Sequence, residues 1–308
     1  MPPHFATFQP MLLLTGATGV VGSALLRRLV GAGAEVRCLV RDPRRLGAQR
    51  VRVQIALGDL ADPPSFRNAM RGVRTVVHLA SATRDQPRGS IEELDGIATW
   101  RMVSAAERAG VKRFVFFTAL DASTHHRARF FRAKALAERA VNEAQLHSIV
   151  FAPSLVYAPG DRMLRLFERL ALLPAMPISG SGRAIYQPIW SEDVADCVMA
   201  ALARSERSDD GAGTRERYEL AGPETLSQNE IVRAVQRALD RRRPLVHIPT
   251  PIVSRSLRML EAVAGPSAFA TWDEAELMEV PMISARGTAD AERLGVVPQR
   301  IGAVLGAS

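Results

Sequence analysis

The feature that most constrains this chain is a glycine-punctuated turn placed directly after its first apolar run. Met11–Thr15 is almost continuously apolar, Gly16-Ala17-Thr18-Gly19-Val20-Val21-Gly22 comes at once after it, and an amphipathic stretch over 20–30 comes next. In a strand–turn–helix unit each glycine has a physical task. One permits the tight reversal, one lets the backbone approach a pyrophosphate, and one lets the helix pack close to the strand. The first amides of the helix lack intrahelical partners and face the same side as the positive end of the helix dipole, which makes the turn a site for phosphate.

Strands and helices continue to alternate after this unit. Residues 34–40, 51–57, 75–80, 113–118 and 148–153 read as strands, with helices over 20–30, 64–70, 91–109 and 130–144 between them. In the last of these helices Leu136, Ala137, Ala140, Val141 and Ala144 share one face. Short parallel strands with intervening helices predict an α/β, doubly wound parallel-sheet Rossmann fold. Beyond Pro153 the chain thickens in proline and glycine (Pro159, Gly160, Pro174, Pro177, Gly180, Gly182), which marks departure from the sheet. It returns for a strand over 185–189 and for a helix with Val194, Cys197, Val198, Ala201 and Leu202 on one face, after which 205–215 is a polar loop. The expected division is a nucleotide-binding domain over 8–157 with 183–221, and a smaller C-terminal substrate lobe over 158–182 with 222–308. In that lobe Ser227 and Glu230 form a capping box, and an amphipathic stretch over 162–173 is placed to roof an apolar pocket. The segment 252–264 reads as a core helix.

Several classes are disfavoured on composition. The most apolar window, 12–30, carries three glycines and two arginines and suits strand, turn and helix better than a membrane span. No secretory signal pattern opens the chain, and Cys38 and Cys197, the only cysteines, lie in apolar elements; a reducing, cytoplasmic setting is expected. The net charge of +8 is scattered over helix surfaces and loops, which argues against specific nucleic-acid binding but favours an anionic small ligand. No metal site is expected, since no His, Cys and carboxylate set has ligand spacing, and no Gly-x-Ser-x-Gly elbow marks a hydrolase. The oligomeric state is left open. Of 40 basic residues only two, Lys112 and Lys134, are lysine, so a lysine at 134 signals a need for a compact ammonium.

The Gly-x-x-Gly-x-x-Gly spacing, with Thr15 and Thr18, resembles that of the extended and atypical short-chain dehydrogenases/reductases. The likeness continues in order along residues 10–240: Gly58-Asp59-Leu60, His78-Leu79-Ala80-Ser81, the segment from Pro153 to Gly160, and Gln187-Pro188-Ile189-Trp190-Ser191-Glu192-Asp193. Among subgroups it is most similar to members related to the NmrA regulator and to the NADPH-binding accessory subunit of respiratory complex I. The resemblance implies that Gly16, Thr18, Gly19, Val20, Val21 and Gly22 hold the pyrophosphate. It places Asp59 and Leu60 at the adenine, and Ala80 and Ser81 beside the adenine ribose. The second strand ends in Arg41, where NAD-selective proteins carry an acid; a guanidinium there suits a 2′-phosphate, so NADP is favoured over NAD, although Asp42 is one residue away.

Active members of this superfamily use a Tyr-x-x-x-Lys pair and a nearby Ser or Thr. The matching stretch here is Phe130-Phe131-Arg132-Ala133-Lys134, after Thr118. Lys134 stands ready for the nicotinamide ribose and Thr118 for the serine, while Phe130 replaces the phenol and has no proton to give. Lys134 itself is a substitute proton donor by resemblance to isoflavone-reductase-like members, and Tyr157, near the nicotinamide by resemblance, is another; His125 and His126 are further candidates in a polar loop. The function implied is an NADPH-dependent reductase of a small apolar carbonyl- or quinone-like acceptor with a non-standard active site. The alternative is a non-catalytic NADPH-binding sensor, assembly factor or structural subunit.

Overall fold

The computed structural model describes residues 11–207, 213–264 and 271–306. Its first half is the predicted alternation. Met11–Thr15 (β1) leads through the glycine turn into Val20–Gly31 (α1), then Val36–Val40 (β2), Gln54–Leu57 (β3), Pro63–Ala69 (α2) and Val73–His78 (β4). The long helix expected over 91–109 is two elements: a π-helical turn over Glu92–Ile97, then Ala98–Arg108 (α3). Arg113–Phe117 (β5), Arg129–Glu143 (α4) and His147–Pro153 (β6) complete this half. The chain then leaves the sheet through Val156–Tyr157 (β7), Arg162–Leu170 (α5) and Met176–Ser179 (β8), and the single strand expected over 185–189 is two short ones, Ile185–Tyr186 (β9) and Ile189–Trp190 (β10). Ser191–Arg207 (α6) returns to the sheet and Arg215–Leu220 (β11) joins its edge. The helix thus runs into the stretch expected as loop; residues 208–212 of that loop lie outside the described residues.

Seven parallel strands pair in the order β11-β6-β5-β4-β1-β2-β3. Every residue of β1, β5 and β6 is buried, as both faces of a parallel sheet require. Side-chain alternation divides them between two cores. Leu12, Leu14, Val115, Phe117, Ile149 and Phe151 face α1 and α6, whereas Leu13, Phe114, Phe116 and Val150 face α2, α3 and α4. Each such side chain contributes about 1.5–3 kcal/mol on leaving water. Ion pairs of Arg27 and Arg28 with Glu192, and of Arg28 with Asp196, tie α1 to α6. Cys38 and Cys197 are free and buried, and burial pushes both thiols up to about 12. Leu136, expected on the inner face of α4, is exposed instead, because the packed face runs through Phe131, Lys134, Ala137 and Val141.

The second lobe adds Leu226–Ser227 (β12), Gln228–Ala238 (α7), Leu245–Ile248 (β13), Thr250–Ala264 (α8) and Trp272–Leu277 (α9). The capping box of Ser227 and Glu230 forms at the start of α7 as expected. Ile231 and Val235 of α7 pack with Leu164 and Phe167 of α5, so α5 is a packing helix. α8 departs from the core-helix expectation. Ser254 and Leu257 are buried, but Ile252 and Met259 are exposed. Ala289–Arg293 (α10) and Ile301–Leu305 (α11) end the chain. Part of the stretch assigned to the lobe packs back on the Rossmann unit: Ala291 and Leu294 join the core around α1 and α6, and Asp290 accepts from the Glu219 amide at 2.8 Å. No helix among the described residues is long and apolar enough to cross a membrane.

Candidate cofactor site

The glycine turn has the geometry its spacing demands. Gly16 sits at φ 70°, and an added Cβ would come within 2.6 Å of the Ala80 amide nitrogen, so both the conformation and the approach of β4 require glycine there. A Cβ on Gly22 would collide with the Gly16 carbonyl, which is how α1 is seated on the turn. Gly19 caps α1 with no side-chain hydrogen bond, and no acidic residue lies in the first helical turn, leaving the amides and the dipole to an anion.

This turn forms one end of an open cleft of about 280 Å³. Its lining includes Gly16, Thr18, Gly19, Arg41, Arg45, Asp59, Leu60, Ala80 and Ser81. The pairing of β2 with β3 sets Val40 beside Leu57, which brings Arg41 and Asp59 to neighbouring positions on the C-terminal edge of the sheet, where open α/β sheets bind ligands. Asp42, the acidic rival to Arg41, spends Oδ1 on the Arg44 amide at 3.0 Å. The residues fit a dinucleotide. Glycine amides, arginines and a buried aspartate occupy successive places along the cleft, each suited to one part of the ligand.

Lys134 lies beyond the lined cleft, held from an unexpected quarter. Its Nζ is 3.0 Å from Oδ1 of Asp95 and donates to the Phe117 carbonyl at 3.0 Å. Both charged side chains are almost completely buried. Asp95 belongs to the π-helical turn, and its Oδ2 accepts from the Ala82 amide at 2.9 Å and the Ser81 hydroxyl at 3.2 Å. The carboxylate therefore joins the Ser81–Ala82 edge of the cleft to the ammonium. The turn lies against α4, since a Cβ on Gly96 would be in ordinary contact with the Ala133 carbonyl at 3.8 Å. Sequence reasoning missed Asp95. The available signal was the lysine itself, since an ammonium on the apolar face of a helix needs a buried acid.

Two aromatic rings flank this ammonium, Phe116 at 5.2 Å and Phe130 at 5.7 Å. Phe130, Leu277, Val280 and Met282, all partly buried, pack against the small cluster of Ala119, Ala128 and Phe131. The segment 277–282 is fastened by hydrogen bonds from Ser154 to the Met282 carbonyl (2.6 Å) and from Tyr186 to the Met278 carbonyl (2.5 Å). Thr118 is buried at the end of β5, and its hydroxyl has no hydrogen-bond partner among the described residues. Such an orphaned oxygen is what a missing ligand would leave.

His78 closes the back of the site. Its ring nitrogens meet Thr15 Oγ1 at 2.7 Å and Thr99 Oγ1 at 3.1 Å. Burial, reinforced by the Lys134 charge, lowers its pKa to about 3, so the imidazole is neutral. Tyr157 is placed otherwise than expected. Its ring is in the lobe core with Leu164, Phe167 and Met176, not in the group around Lys134. Burial, then Asp193 and Glu224, push its phenol above the ordinary tyrosine range. The strand pairing of β7 with β10 draws the ring inward. His126 accepts from the Ala128 amide at 3.0 Å and packs on Phe131, and His125 is exposed with a bond to Thr124.

Comparison with known proteins agrees with this geometry. A family model described as NAD(P)H-binding matches residues 16–205. The chain is 28% identical over 262 residues to NADH dehydrogenase [ubiquinone] 1 alpha subcomplex subunit 9, mitochondrial, of Arabidopsis thaliana. That alignment takes in 82% of this chain and 62% of the plant protein, so the chain spans less than two thirds of that relative. It is 26% identical to the ceramide reductase of Caulobacter vibrioides, over 87% of this chain and 84% of that one. Among solved structures, the epimerase Mth375 from Methanothermobacter thermautotrophicus superposes with a TM-score of 0.74 at 19% identity, covering 99% of this chain and 92% of the other. The matched segment runs from the phosphate turn almost to the end of α6, and the chain belongs to the NAD(P)H-binding family of atypical short-chain dehydrogenase/reductase proteins.

Proposed function

We propose that this protein binds NADPH and retains it as a held ligand, without ordinary carbonyl reduction. The observation that carries the reading is the state of Lys134. Its ammonium is neutralised by Asp95 at 3.0 Å and bound to the Phe117 carbonyl, while Phe130 stands in the place of the phenol. In this reading Gly16, Thr18, Gly19, Val20, Val21 and Gly22 hold the pyrophosphate. Arg41 and Arg45 take the 2′-phosphate, Asp59 and Leu60 the adenine, and Ala80 and Ser81 its ribose. Of the three donors on Lys134, one goes to Phe117 and one faces Asp95, leaving the third for the nicotinamide ribose beside Thr118. Hydride transfer to a ketone also needs a proton, and Phe130 has none to give. A retained nucleotide suits a structural or assembly subunit, the kind of protein the plant relative is named for.

One observation favours a second reading. Phe130, Leu277, Val280 and Met282 make a partly buried apolar group on the Phe131 cluster, and the Caulobacter relative is named for reduction of a lipid. An apolar acceptor whose reduced form takes its proton from water would suit that group.

The test joins binding and turnover. NADPH at about 100 times its dissociation constant is expected to raise stability by about 2.7 kcal/mol, with no NADPH oxidation in the presence of ketones, keto-lipids or quinones. Phe130→Tyr, which restores the phenol four residues before Lys134, is the control. Steady oxidation by the unaltered protein with a keto-lipid or quinone would replace the first reading by the second. Absence of any thermal shift with NADPH would overturn both.

A further inference from the structure

A hairpin that no family motif singles out reaches across the mouth of the cleft. Gln86 and Gly89 pair through both backbone hydrogen bonds, 2.9 and 3.0 Å, and place Pro87 and Arg88 at the tip. Its base is fixed. Asp85 accepts from the Ile91 amide at 2.9 Å and from two nitrogens of Arg129 at 3.0 and 3.1 Å, and Arg129 also binds both oxygens of Glu92. Glu93 accepts from the Ser90 amide at 2.8 Å. The hairpin is therefore seated on the π-helical turn and on the start of α4, the same elements that present Asp95 and Lys134.

From that base the tip touches both residues at the adenosine end. Gln86 Oε1 accepts from Arg41 Nη1 at 2.9 Å, and Arg88 Nη1 stands 3.3 Å from Asp59 Oδ2. Arg41 and Asp59 are neighbours across β2 and β3, so the two tip contacts bracket one small region. Charge argues for what enters there. The charged residues lining the cleft are Arg41 and Arg45 against Asp42 and Asp59, two against two, which sum to zero. A phosphate monoester carries nearly two negative charges at neutral pH, and a balance of zero does not match it. Arg88 brings the rim to three against two, and its side chain is 74% exposed, free to turn from Asp59 to a better acceptor. The neutral Gln86 amide on Arg41 is likewise a weaker partner than a phosphate oxygen.

We propose that Arg88 is a second binding residue for the adenosine 2′-phosphate, delivered by the 85–90 hairpin, which closes over that end of the nucleotide. The proposal rests on the NADPH reading above. On binding, the Arg41–Gln86 and Arg88–Asp59 contacts open, both guanidiniums turn to the 2′-phosphate, and Asp59 is released to the adenine amino group. Arg88 is then a selectivity residue: it acts on the phosphorylated nucleotide and is indifferent to the other.

The experiment is calorimetric titration of the full chain with 2′,5′-ADP and with ADP, for the unaltered protein and for Arg88→Ala, Gln86→Ala and Arg41→Ala. Loss of one charge-assisted pair corresponds to about tenfold or more in affinity. Arg88→Ala is expected to weaken 2′,5′-ADP by at least that factor and to leave ADP within about twofold. Gln86→Ala, which frees Arg41 in advance, is expected to hold or tighten 2′,5′-ADP. Equal weakening of both nucleotides by Arg88→Ala, or of neither, overturns the proposal while a preference of the unaltered protein for 2′,5′-ADP leaves the NADPH reading standing. Equal affinity of the unaltered protein for the two nucleotides overturns the NADPH reading, and the role of Arg88 with it. Arg88 is at an exposed tip, so its variants fold; a circular dichroism melt checks this.

Discussion

The Asp95–Lys134 pair invites a double-mutant cycle whose outcome is set by its burial. Lys134 is 3% exposed and Asp95 is inaccessible, so removing one partner strands the other charge where water does not reach. Breaking such a pair from one side costs about 3–5 kcal/mol. Asp95→Leu belongs at the upper end, because the Ala82 amide also loses its acceptor, a further penalty of about 1–3 kcal/mol. Lys134→Met belongs at the lower end, since Asp95 keeps its bonds from Ala82 and Ser81. The double variant Asp95→Leu/Lys134→Met carries no stranded charge and is expected to be more stable than Asp95→Leu alone. The coupling energy should then exceed about 2 kcal/mol. Asp95→Asn keeps an acceptor for Ala82 and isolates the charge. Urea denaturation of the nucleotide-free protein at pH 7 measures all four. Additive single-variant losses, with coupling below about 0.5 kcal/mol, would refute the claim that these two groups neutralise each other in the fold.

Three more expectations come from the same geometry. Gly22→Ala places a methyl against the Gly16 carbonyl and should abolish the NADPH-induced thermal shift, whereas Gly19→Ala, whose Cβ would stand 3.2 Å from the same oxygen, should weaken the shift without removing it. Tyr157→Phe deletes a buried hydroxyl with no partner among the described residues, so stability should be unchanged or raised by up to about 1 kcal/mol, with NADPH binding intact. His78 has its pKa lowered to about 3 from 6.5; above pH 6.5 its contribution is fully present, and below it the unfolded chain takes up a proton that the fold refuses. Stability should therefore fall by about 1.4 kcal/mol per pH unit from 6.5 downward relative to His78→Asn, as read from urea midpoints across that range.

The nucleotide-binding half was legible in the sequence because its requirements are local. A glycine that must sit at positive φ, a glycine without room for a Cβ, and apolar runs buried on both sides each leave a mark within a few residues. Arg41 and Asp59 were singled out the same way, from their place after a strand, and both line the cleft. The parts that sequence reasoning missed or misplaced are those fixed by long-range packing. Asp95 looked like one acid among Glu92, Glu93 and Asp95 at a helix start, and only the π-helical turn aims it at α4. Tyr157 comes after a strand near the expected nicotinamide, yet its ring belongs to a core assembled from α5, α7 and β8. Leu136 has the spacing of the inner face of α4 but stands where that face has already turned outward. Leu277, Val280 and Met282, which join Phe130 on the Phe131 cluster, come from nearly 150 positions along the chain, with no periodicity to announce them.

The two ends of the site differ in how much substitution they withstand, and that difference bears on function. Binding at the phosphate turn depends on backbone amides, whose direction is set by glycines and by the close packing of β1, β4 and α1; many side chains can change around it without altering the ligand. Proton transfer depends on a single phenol four residues before a lysine. Phe130 in that place has no proton to give, and its ring packs on Phe131. Lys134 then has no phenol to activate, yet it remains buried and paired with Asp95, which is tied to Ser81 and Ala82 on the edge of the cleft. A lysine kept for ribose binding is under that constraint in either case. The proposed retention of the nucleotide needs the lysine and not the tyrosine, and this chain, with arginine at nearly every other basic position, carries Lys134 and Phe130 at those two places.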